Sequence, residues 1–278
     1  MFIFSIFLIC FVSGKCDRIR LGDGNMKVLI TGASSGIGRD MARAFAKRGY
    51  DLVLVARSKE RLLHVQEELN QQVKVEIAVC DVSKTENCIQ LHQQYPAIDI
   101  LVNNAGFGDC GEFTQTDLQK ELDMIDTNIR AYHILTKLYL QDMVAKNHGK
   151  ILNVASIAGF MPGPLMATYY ATKSYVVRLS EAIRQELYQA RSKVQISILC
   201  PGPVDTHFNV TANVLFKIRE ANSQEIAEYA VKKLLKGKFY IVPKIEIKIA
   251  KFGTKILPDT CLSQINYNVQ KRKIYRPE

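Results

Sequence analysis

Residues 27–38 read Lys-Val-Leu-Ile-Thr-Gly-Ala-Ser-Ser-Gly-Ile-Gly, and this stretch decides the fold. Its apolar, β-branched beginning predicts a strand over Lys27–Thr31, and a glycine-rich turn then leads into a helix. Glycines allow the backbone to approach a ligand closely, and the free N–H groups of a helix N-terminus suit a pyrophosphate. An ordinary glycine cap explains the same residues, but the position directly after the first strand favours a binding loop. The expected loop residues are Gly32, Ser34, Ser35, Gly36, Ile37 and Gly38, of which Ile37 is equally explained by packing.

Outward from this stretch, short apolar runs alternate with helical stretches. Further strands are predicted at Asp51–Ala56, Val73–Val79, Ile98–Val102, Lys150–Val154 and Val194–Leu199. Helices are predicted at Gly38–Arg48, Lys59–Gln71, Glu86–Gln93, Thr116–Met143 with a break near Asn128, and Tyr169–Ala190. The strands are continuous apolar runs, as buried parallel strands are. We therefore expect an α/β protein with a Rossmann-like, doubly wound parallel sheet in a single domain over residues 26–243.

The composition is that of an ordinary globular protein, with 47% hydrophobic and 23% charged residues. The seven cysteines are scattered without a Cys-x-x-Cys pair, and the five histidines show no paired spacing. These patterns argue against a metal site and against a disulfide framework. We expect no metal and a reducing compartment, the cytoplasm.

The net charge of +10 is concentrated near the C-terminus, where residues 232–278 hold twelve Lys and Arg against three acidic residues, a net charge of +9. We expect a basic C-terminal extension over residues 244–278, in which Ile, Phe and Leu are interleaved with Lys as in an amphipathic surface segment. A plain solvated face, contact with an anionic membrane and nucleic-acid binding are the three interpretations. No recognisable nucleic-acid module accompanies the charge, so nucleic acid is not the expected partner.

The N-terminal extension, residues 1–25, has competing explanations. Residues 1–13 are almost wholly apolar, but they are too few to span a bilayer and lack the basic start of a secretory signal. Met26 stands directly before the first strand, and the codons for residues 21–25 can contain a purine-rich ribosome-binding sequence. We hypothesise that Met26 is the true start and that residues 1–25 are an artefact of gene calling, with a membrane anchor or signal as the alternative. The encoding DNA tests this, because the hypothesis fails if no purine-rich tract precedes the Met26 codon.

Tyr169 and Lys173 are the first candidate catalytic residues. Positions four apart share one face of a helix, so the ammonium lies beside the phenol. A fixed neighbouring cation favours the ionised phenol, and the hydroxyl of Ser156 offers a hydrogen bond to a substrate oxygen. The adjacent Tyr170 is followed four residues later by Ser174, so we interpret Tyr170 as a helix residue that faces the core or a dimer partner.

Taken together, these motifs resemble the short-chain dehydrogenase/reductase family from Met26 to about Thr206. The first loop has the spacing Thr-Gly-x-x-x-Gly-x-Gly. The other matching positions follow in the family's order: Asp81, Asn103-Asn104-Ala105-Gly106, Asn128, Ser156, Tyr169, Lys173 and the segment 201–206, Pro-Gly-Pro-Val-Asp-Thr. Beyond that segment the likeness is weaker and closer to a bacterial, NADP-dependent branch of reductases with a basic C-terminal extension.

The resemblance implies hydride transfer between a nicotinamide and a substrate carbonyl carbon. Tyr169 would pass the proton, Lys173 would lower the pKa of the tyrosine and hold the nicotinamide ribose, and Ser156 would orient the substrate oxygen. Asn128 would position a water in a proton relay. Further cofactor contacts are implied at Asp81, Asn104, Ala105, Gly106, Pro201, Gly202, Val204 and Thr206, the last having a plain turn residue as its alternative.

The end of the second predicted strand selects the dinucleotide. An acidic residue there would bind the ribose 2′-hydroxyl of NAD, but this chain has Arg57. A guanidinium pairs with a 2′-phosphate, so we expect NADP(H), with an ordinary solvated arginine as the alternative.

The substrate is expected to be a small apolar carbonyl or alcohol, lipid-like, steroid-like or aromatic. It would be bounded by Phe107–Phe113, Ala158–Met166 and Val204–Asn222, which are rich in Phe, Met and Leu. A non-catalytic NADP-binding regulatory protein on the same fold is the competing function. We also expect a homodimer or homotetramer, with peripheral membrane contact through the basic extension as one outcome.

Overall fold

Strands and helices alternate in the computed structural model, which describes residues 25–204, 222–254 and 256–271. The strands of this part are β1 (Lys27–Thr31), β2 (Asp51–Ala56), β3 (Val75–Val79), β4 (Ile100–Asn103), β5 (Lys150–Val154), β6 (Gln195–Leu199) and β7 (Tyr240–Ile241). The helices are α1 (Gly36–Ala46), α2 (Lys59–Leu69), α3 (Thr85–Gln94), α4 (Leu118–Ile125), α5 (Ala131–Ala145), α6 (Ala167–Gln189), α7 (Ser223–Leu235), α8 (Ile245–Gly253) and α9 (Asp259–Lys271).

The strands form one parallel sheet in the order β3-β2-β1-β4-β5-β6-β7. This confirms the predicted doubly wound sheet and adds β7, whose two residues are too few to give a sequence pattern. From β1 the chain builds outward through β2 and β3, and it then returns to place β4 on the other side of β1. The carboxyl ends of β1 and β4 therefore mark a switch point, where sheets of this kind bind ligands.

Both faces of the sheet are covered, which explains why its strands are apolar without alternation. Val28 and Ile30 of β1 pack into the cluster formed with α1, α2 and α7, whereas Leu29 packs into the cluster formed with α3 and α5. All three side chains are fully buried. A third cluster, around Val176 and Val177 of α6, covers the end of the sheet near β6.

The break predicted near Asn128 is confirmed as a π-helical turn, Asp126–Arg130, between α4 and α5. The bulge turns the side chain of Asn128 inward, where it is fully buried. Single π-helical turns of this kind are frequent at functional sites.

Four parts of the chain lie outside the described residues: 1–24, 205–221, 255 and 272–278. They include most of the predicted N-terminal extension and the last residues of the basic extension, and the boundaries at residues 25 and 243 stay predictions. Within the described ranges, every helix is too short or too polar to cross a lipid bilayer.

Candidate active site

A cavity of about 860 Å³ opens at the carboxyl ends of the strands, around the switch point. Its volume lies in the range of ligand pockets. Sixteen of the predicted site residues line it: Gly32, Ser34, Ser35, Gly36, Ile37, Arg57, Asp81, Asn104, Ala105, Gly106, Ser156, Tyr169, Lys173, Pro201, Gly202 and Val204.

Three predicted site residues are not part of the described wall. A Cβ at Gly38 would come within 2.4 Å of the carbonyl oxygen of Gly32, so Gly38 lies behind the loop and lets α1 approach it. Asn128 is buried behind Gly106, because a Cβ added to Gly106 would come within 2.8 Å of Oδ1 of Asn128. Thr206 lies outside the described residues.

The glycine-rich loop is tied to the loop after β4 through Thr31. The hydroxyl of Thr31 accepts hydrogen bonds from the N–H groups of Asn104 at 2.9 Å and of Ala105 at 3.0 Å. In return, Nδ2 of Asn104 donates to the carbonyl oxygens of Thr31 at 3.0 Å and of Gly32 at 3.3 Å. Gly32 has φ +65°, which favours glycine at this position. Two loops from neighbouring strands thus form one rigid floor.

The N-terminus of α1 opens onto this floor without a side-chain cap. Ser35 stands at the N-cap position and makes no capping hydrogen bond, whereas Ser58 caps α2 by accepting from the N–H of Arg61 at 3.4 Å. N–H groups in the first turn of a helix have no partner within the helix, and the helix dipole favours an anion there. The loop therefore fits a pyrophosphate.

A cluster of three cationic side chains, Arg57, Arg61 and Lys84, lines the cavity beside the ends of β2 and β3. Only Arg57 was predicted from the sequence. Arg61 lies in the first turn of α2, and Arg57 precedes that helix, so no helical spacing links the two in the sequence. The cluster gives this end of the cavity a positive charge that suits a phosphate.

Ser156 and Tyr169 form a hydrogen bond between their side chains. The hydroxyl of Ser156 also accepts from the N–H of Ala158 at 3.2 Å, which caps the 3-10 turn Ile157–Phe160 that follows β5. Burial raises the pKa of Tyr169, and the hydrogen bond with Ser156 offsets part of that effect. The phenol is therefore protonated at neutral pH and can donate its proton.

Lys173 lies on α6, the helix that also carries Tyr169, and it is buried. Its Nζ donates to the carbonyl oxygen of Val154 at 3.0 Å. Nζ lies 5.8 Å from the centre of the Tyr169 ring. Burial raises the pKa of Tyr169 overall, and the expectation that the charge of Lys173 lowers it stays a prediction. Burial acts on the lysine too and lowers its pKa to about 8. Desolvation disfavours the charged form of both groups.

Asn128 connects three elements behind the catalytic wall. Its Nδ2 donates to the carbonyl oxygen of Phe107 at 2.9 Å and to the hydroxyl of Thr172 at 3.1 Å. Its side chain therefore holds the segment after β4 against α6. The role of Asn128 in positioning a water stays a prediction.

The substrate end of the cavity is more apolar. The predicted bounding segments contribute Phe107, Ala158, Met161, Met166 and Val204 to the wall. Phe160 does not line the cavity and instead contacts Tyr240, with their ring centres 6.0 Å apart. The predicted contacts at residues 205–221 lie outside the described part.

Several wall residues were missed by sequence reasoning. They come from α6, α8 and α9: Tyr170, Ile247, Ala250, Asn266, Val269 and Gln270. Tyr170 is buried against Ala158 and Met166, as expected of a core residue, but it also faces the cavity. On α9, Asn266 and Gln270 lie one turn apart on the buried face, and a spacing of four is the only sequence signal they offer.

Comparison with known proteins agrees with this architecture. The family model for short chain dehydrogenase matches residues 26–214. Sulfoacetaldehyde reductase 2 of Chromohalobacter salexigens is 37% identical over 190 residues, which cover 66% of this chain and 74% of that protein. Among solved structures, a short-chain dehydrogenase from Sphingobium yanoikuyae in complex with NADPH has a TM-score of 0.75 at 29% identity. The match covers 84% of this chain and 96% of the Sphingobium chain.

A second solved structure, the bulky-bulky ketone specific alcohol dehydrogenase from Comamonas testosteroni, has a TM-score of 0.72 at 27% identity. The match covers 84% of this chain and 95% of that chain. The match to the family model extends over more than half of the sequence and contains the whole cavity wall contributed by β1 to β6. The chain therefore belongs to the short chain dehydrogenase family of oxidoreductases.

Proposed function

We propose that the protein is an NADP(H)-dependent oxidoreductase that interconverts a carbonyl and an alcohol on an apolar substrate. The observation that carries the proposal is the hydrogen bond between Ser156 and Tyr169 on the cavity wall, with Lys173 on the same helix. The bound nicotinamide would supply or accept the hydride. Ser156 would hold the substrate oxygen by a hydrogen bond, and Tyr169 would donate the proton to that oxygen during reduction.

The raised pKa of Tyr169 suits this acid role. A phenol that stays protonated at neutral pH can donate to a carbonyl oxygen that gains negative charge as the hydride arrives. Lys173 would hold the cofactor ribose, and its own lowered pKa of about 8 makes its charge sensitive to what binds beside it. Asn128 would keep Gly106 and Phe107 in a fixed position relative to Tyr169.

NADP(H) rather than NAD(H) is supported by the cluster Arg57, Arg61 and Lys84 at the expected position of the 2′-phosphate. β2 ends on Ala56, so no carboxylate stands at the strand end to bind a 2′-hydroxyl. The related dehydrogenase from Sphingobium yanoikuyae was solved with NADPH, which agrees with this assignment.

An apolar substrate is supported by the apolar residues of the cavity wall, which include Met161 and Met166 packed near Tyr169 and also Ile247 and Val269. Sulfoacetaldehyde reductase 2 acts on an anionic aldehyde, so an acidic substrate is the competing hypothesis. Among the described wall residues, Lys173 is the sole cation outside the cluster at β2 and β3, and it is engaged with Val154. That distribution favours a neutral ketone or aldehyde.

The test is NADPH oxidation with a panel of apolar ketones and aldehydes, with NADH as the comparison. We expect turnover with NADPH that is lost in Tyr169→Phe. Binding of NADPH without turnover of any carbonyl compound would favour the competing function, a non-catalytic NADP-binding regulatory protein. Failure to bind NADPH would contradict both.

We further propose a homodimer or homotetramer that uses α4. Leu118, Leu122 and Ile125 form a stripe along this helix at the spacing i, i+4, i+7, and they are 69%, 44% and 36% exposed. Two copies of such a stripe can pack against each other. Light scattering after size-exclusion chromatography should give a multiple of the chain mass, and Leu118→Glu with Leu122→Glu should reduce it. An unchanged mass would contradict the assignment of this face.

The outer face of α8 supports the proposed contact with an anionic membrane. Ile245, Ile249 and Phe252 lie on one stripe and are 62%, 66% and 64% exposed, with Lys244 and Lys248 beside them. Apolar insertion together with lysine attraction is how interfacial helices bind anionic lipid.

Cosedimentation with vesicles of phosphatidylglycerol and phosphatidylcholine tests this contact. We expect binding that is weakened by Ile249→Glu with Phe252→Glu and unaffected by Tyr188→Glu, a control at an exposed position on α6. Equal pelleting with pure phosphatidylcholine, or no pelleting, would contradict the contact.

We retain the division into an extension before residue 26, a dinucleotide-binding domain over 26–243 and a basic extension over 244–278. Cytoplasmic location is supported by the cysteines, since no disulfide forms among the five within the described residues. Fractionation of cells that express a tagged chain tests the location.

A further inference from the structure

A second polar position lies on the cavity wall, away from the Ser156–Tyr169 pair. Nε2 of Gln270 on α9 donates to the hydroxyl of Tyr170 on α6 at 2.6 Å, and both residues line the cavity. Gln270 is only 2% exposed and Tyr170 only 9%. The contact joins residues that are 100 positions apart in the chain.

The hydrogen-bonding capacity of this pair is not exhausted. Tyr170 accepts from Gln270, so its own O–H proton needs an acceptor, and no described residue supplies one. Oε1 of Gln270 is buried and has no hydrogen-bond partner among the described residues. Buried polar atoms are nearly always paired, so an unpaired atom beside a cavity calls for a partner from the ligand or from water.

The presence of a free donor and a free acceptor does not depend on how the amide is oriented. If the oxygen and nitrogen of Gln270 exchange places, Tyr170 donates to the oxygen, and the pair then keeps both amide N–H donors and a phenol lone pair. In either orientation the pair keeps at least one donor and at least one acceptor. The matching ligand group is one that both accepts and donates, as an alcohol hydroxyl does.

Charge disfavours an anionic ligand group at this pair. No cationic side chain among the described residues contacts the hydroxyl of Tyr170 or the amide of Gln270. A carboxylate or a sulfonate has no proton to give to the free acceptor of the pair, and without a cation it would lose its hydration with little compensation. Burial raises the pKa of Tyr170 to about 12, so the phenol keeps its proton.

The surroundings fix where this group would sit. The ring centres of Tyr169 and Tyr170 are 6.1 Å apart and the rings are nearly perpendicular, so the two hydroxyls serve different points of the cavity. Tyr170 packs with Ala158 and Met166. One turn before Gln270, Nδ2 of Asn266 donates to the carbonyl oxygen of Pro162 at 2.7 Å and fixes α9 against the wall.

We propose that Tyr170 and Gln270 form a specificity site for a second hydroxyl group, so that the preferred substrate is an apolar carbonyl compound that also carries an alcohol. This inference rests on the proposed function. The carbonyl would lie at Tyr169 and the alcohol at the Tyr170–Gln270 pair, with apolar carbon between them. Two pairs of polar contacts in an otherwise apolar cavity fix the orientation of the molecule as well as its class.

The experiment uses methyl ketones with a terminal hydroxyl, over a series of chain lengths, each paired with the plain methyl ketone of the same length. For each pair, kcat/KM with NADPH and the equilibrium dissociation constant in calorimetry are measured on the full chain. At the best chain length the hydroxylated ketone should be preferred by about 10-fold or more in both quantities, the size expected for a buried hydrogen-bonding pair.

The variants Gln270→Leu and Tyr170→Phe should each reduce that preference to within about 3-fold. Tyr175→Phe is the matched control, because its hydroxyl contacts His133 and does not line the cavity. It should keep the full preference. Thermal melts identify a variant that has not folded, and the remaining variant and the chain-length series then decide.

The outcomes separate the two hypotheses. Turnover of plain ketones without any preference for the hydroxylated partners, or a preference that both variants retain, overturns the specificity site and leaves the proposed function standing. No turnover of either series contradicts the proposed function, and the calorimetric ratio still decides whether Tyr170 and Gln270 recognise a hydroxyl.

Discussion

Asn128 and Phe107 form a reciprocal pair: the side-chain amide of Asn128 donates to the carbonyl oxygen of Phe107 at 2.9 Å, and the N–H of Phe107 donates to Oδ1 of Asn128 at 3.2 Å. Phe107 lies just beyond the end of β4, and the side chain of Asn128 makes the two hydrogen bonds that a neighbouring strand would otherwise make to the Phe107 backbone. The π-helical turn is what brings it there, because an ordinary helical turn would rotate the residue away from this position.

Replacing Asn128 by alanine should therefore destabilise the protein. The change removes both bonds to Phe107 and the bond to Thr172, and we expect the free energy of unfolding in urea to fall by about 1–3 kcal/mol. Asn128→Asp keeps the acceptor for the N–H of Phe107, but it sets a carboxylate oxygen against the carbonyl oxygen of Phe107 at a fully buried position, so it should destabilise the protein at least as much as alanine. Gln119→Ala, at an exposed position on α4, is the control; a loss for Asn128→Ala no larger than for this control would contradict the bridging role.

Tyr169→Phe should lower kcat/KM by roughly 10²- to 10⁴-fold, because it removes the proton donor and leaves the ring in place. NADPH binding, followed by fluorescence titration, should change little. Tyr175→Phe removes a hydroxyl from the same helix outside the cavity and should retain activity. If both variants were equally active, Tyr169 would not be the acid.

Arg57→Ala should weaken NADPH binding by about 10-fold or more, since hydrogen bonds to a charged group are worth roughly 1.5–3 kcal/mol. NADH lacks the 2′-phosphate, so its affinity should be unchanged. Adding Arg61→Ala should deepen the loss for NADPH alone. Arg178→Ala removes a charge on the outside of α6 and serves as the control. An equal loss for both dinucleotides would show that Arg57 does not select the phosphate.

Lys173 should make stability depend on pH in a defined direction. Burial lowers its pKa in the folded protein to about 8, against 10.5 for an ordinary lysine. Between these values the unfolded chain binds the proton and the folded protein does not, so the contribution of Lys173 to stability rises with pH. Relative to Lys173→Met, the wild type should gain roughly 1–3 kcal/mol between about pH 8 and pH 10.

The measurement for Lys173 is urea unfolding of both proteins at a series of pH values. It should end near pH 10, because the buried tyrosines, whose pKa values are raised, destabilise the folded state above that value. If the free energies of unfolding of the wild type and of Lys173→Met changed in parallel with pH, Lys173 would not have a lowered pKa in the folded protein.

Much of the sheet could be predicted from the sequence, because parallel strands buried on both faces read as uninterrupted apolar runs. The bounds of β1, β2 and β5 agree with the predicted ones, and helix ends differ by about two residues where turns taper off. β7 was not predicted, because its two residues are too few to show a periodic pattern. α9 escaped because two of its three buried residues, Asn266 and Gln270, are polar and hide the apolar stripe.

The cofactor end of the site was more predictable than the substrate end. The glycine-rich loop has a fixed position in the chain, so Gly32 and Gly36 could be assigned to the wall because they directly follow the first predicted strand. The partner of Tyr170 lies 100 residues further on, and no local pattern connects the two. The rise in the Tyr169 pKa was also out of reach, because it depends on how much protein surrounds the phenol.

The closure of the cavity by α9 has a consequence for how the protein is made. The residues that build the dinucleotide floor all lie before position 107, whereas Gln270 is among the last described residues to leave the ribosome. During synthesis a nascent chain can complete the floor long before the substrate wall exists. A chain that stops early in α9 would therefore hold the dinucleotide while lacking the wall that selects its substrate.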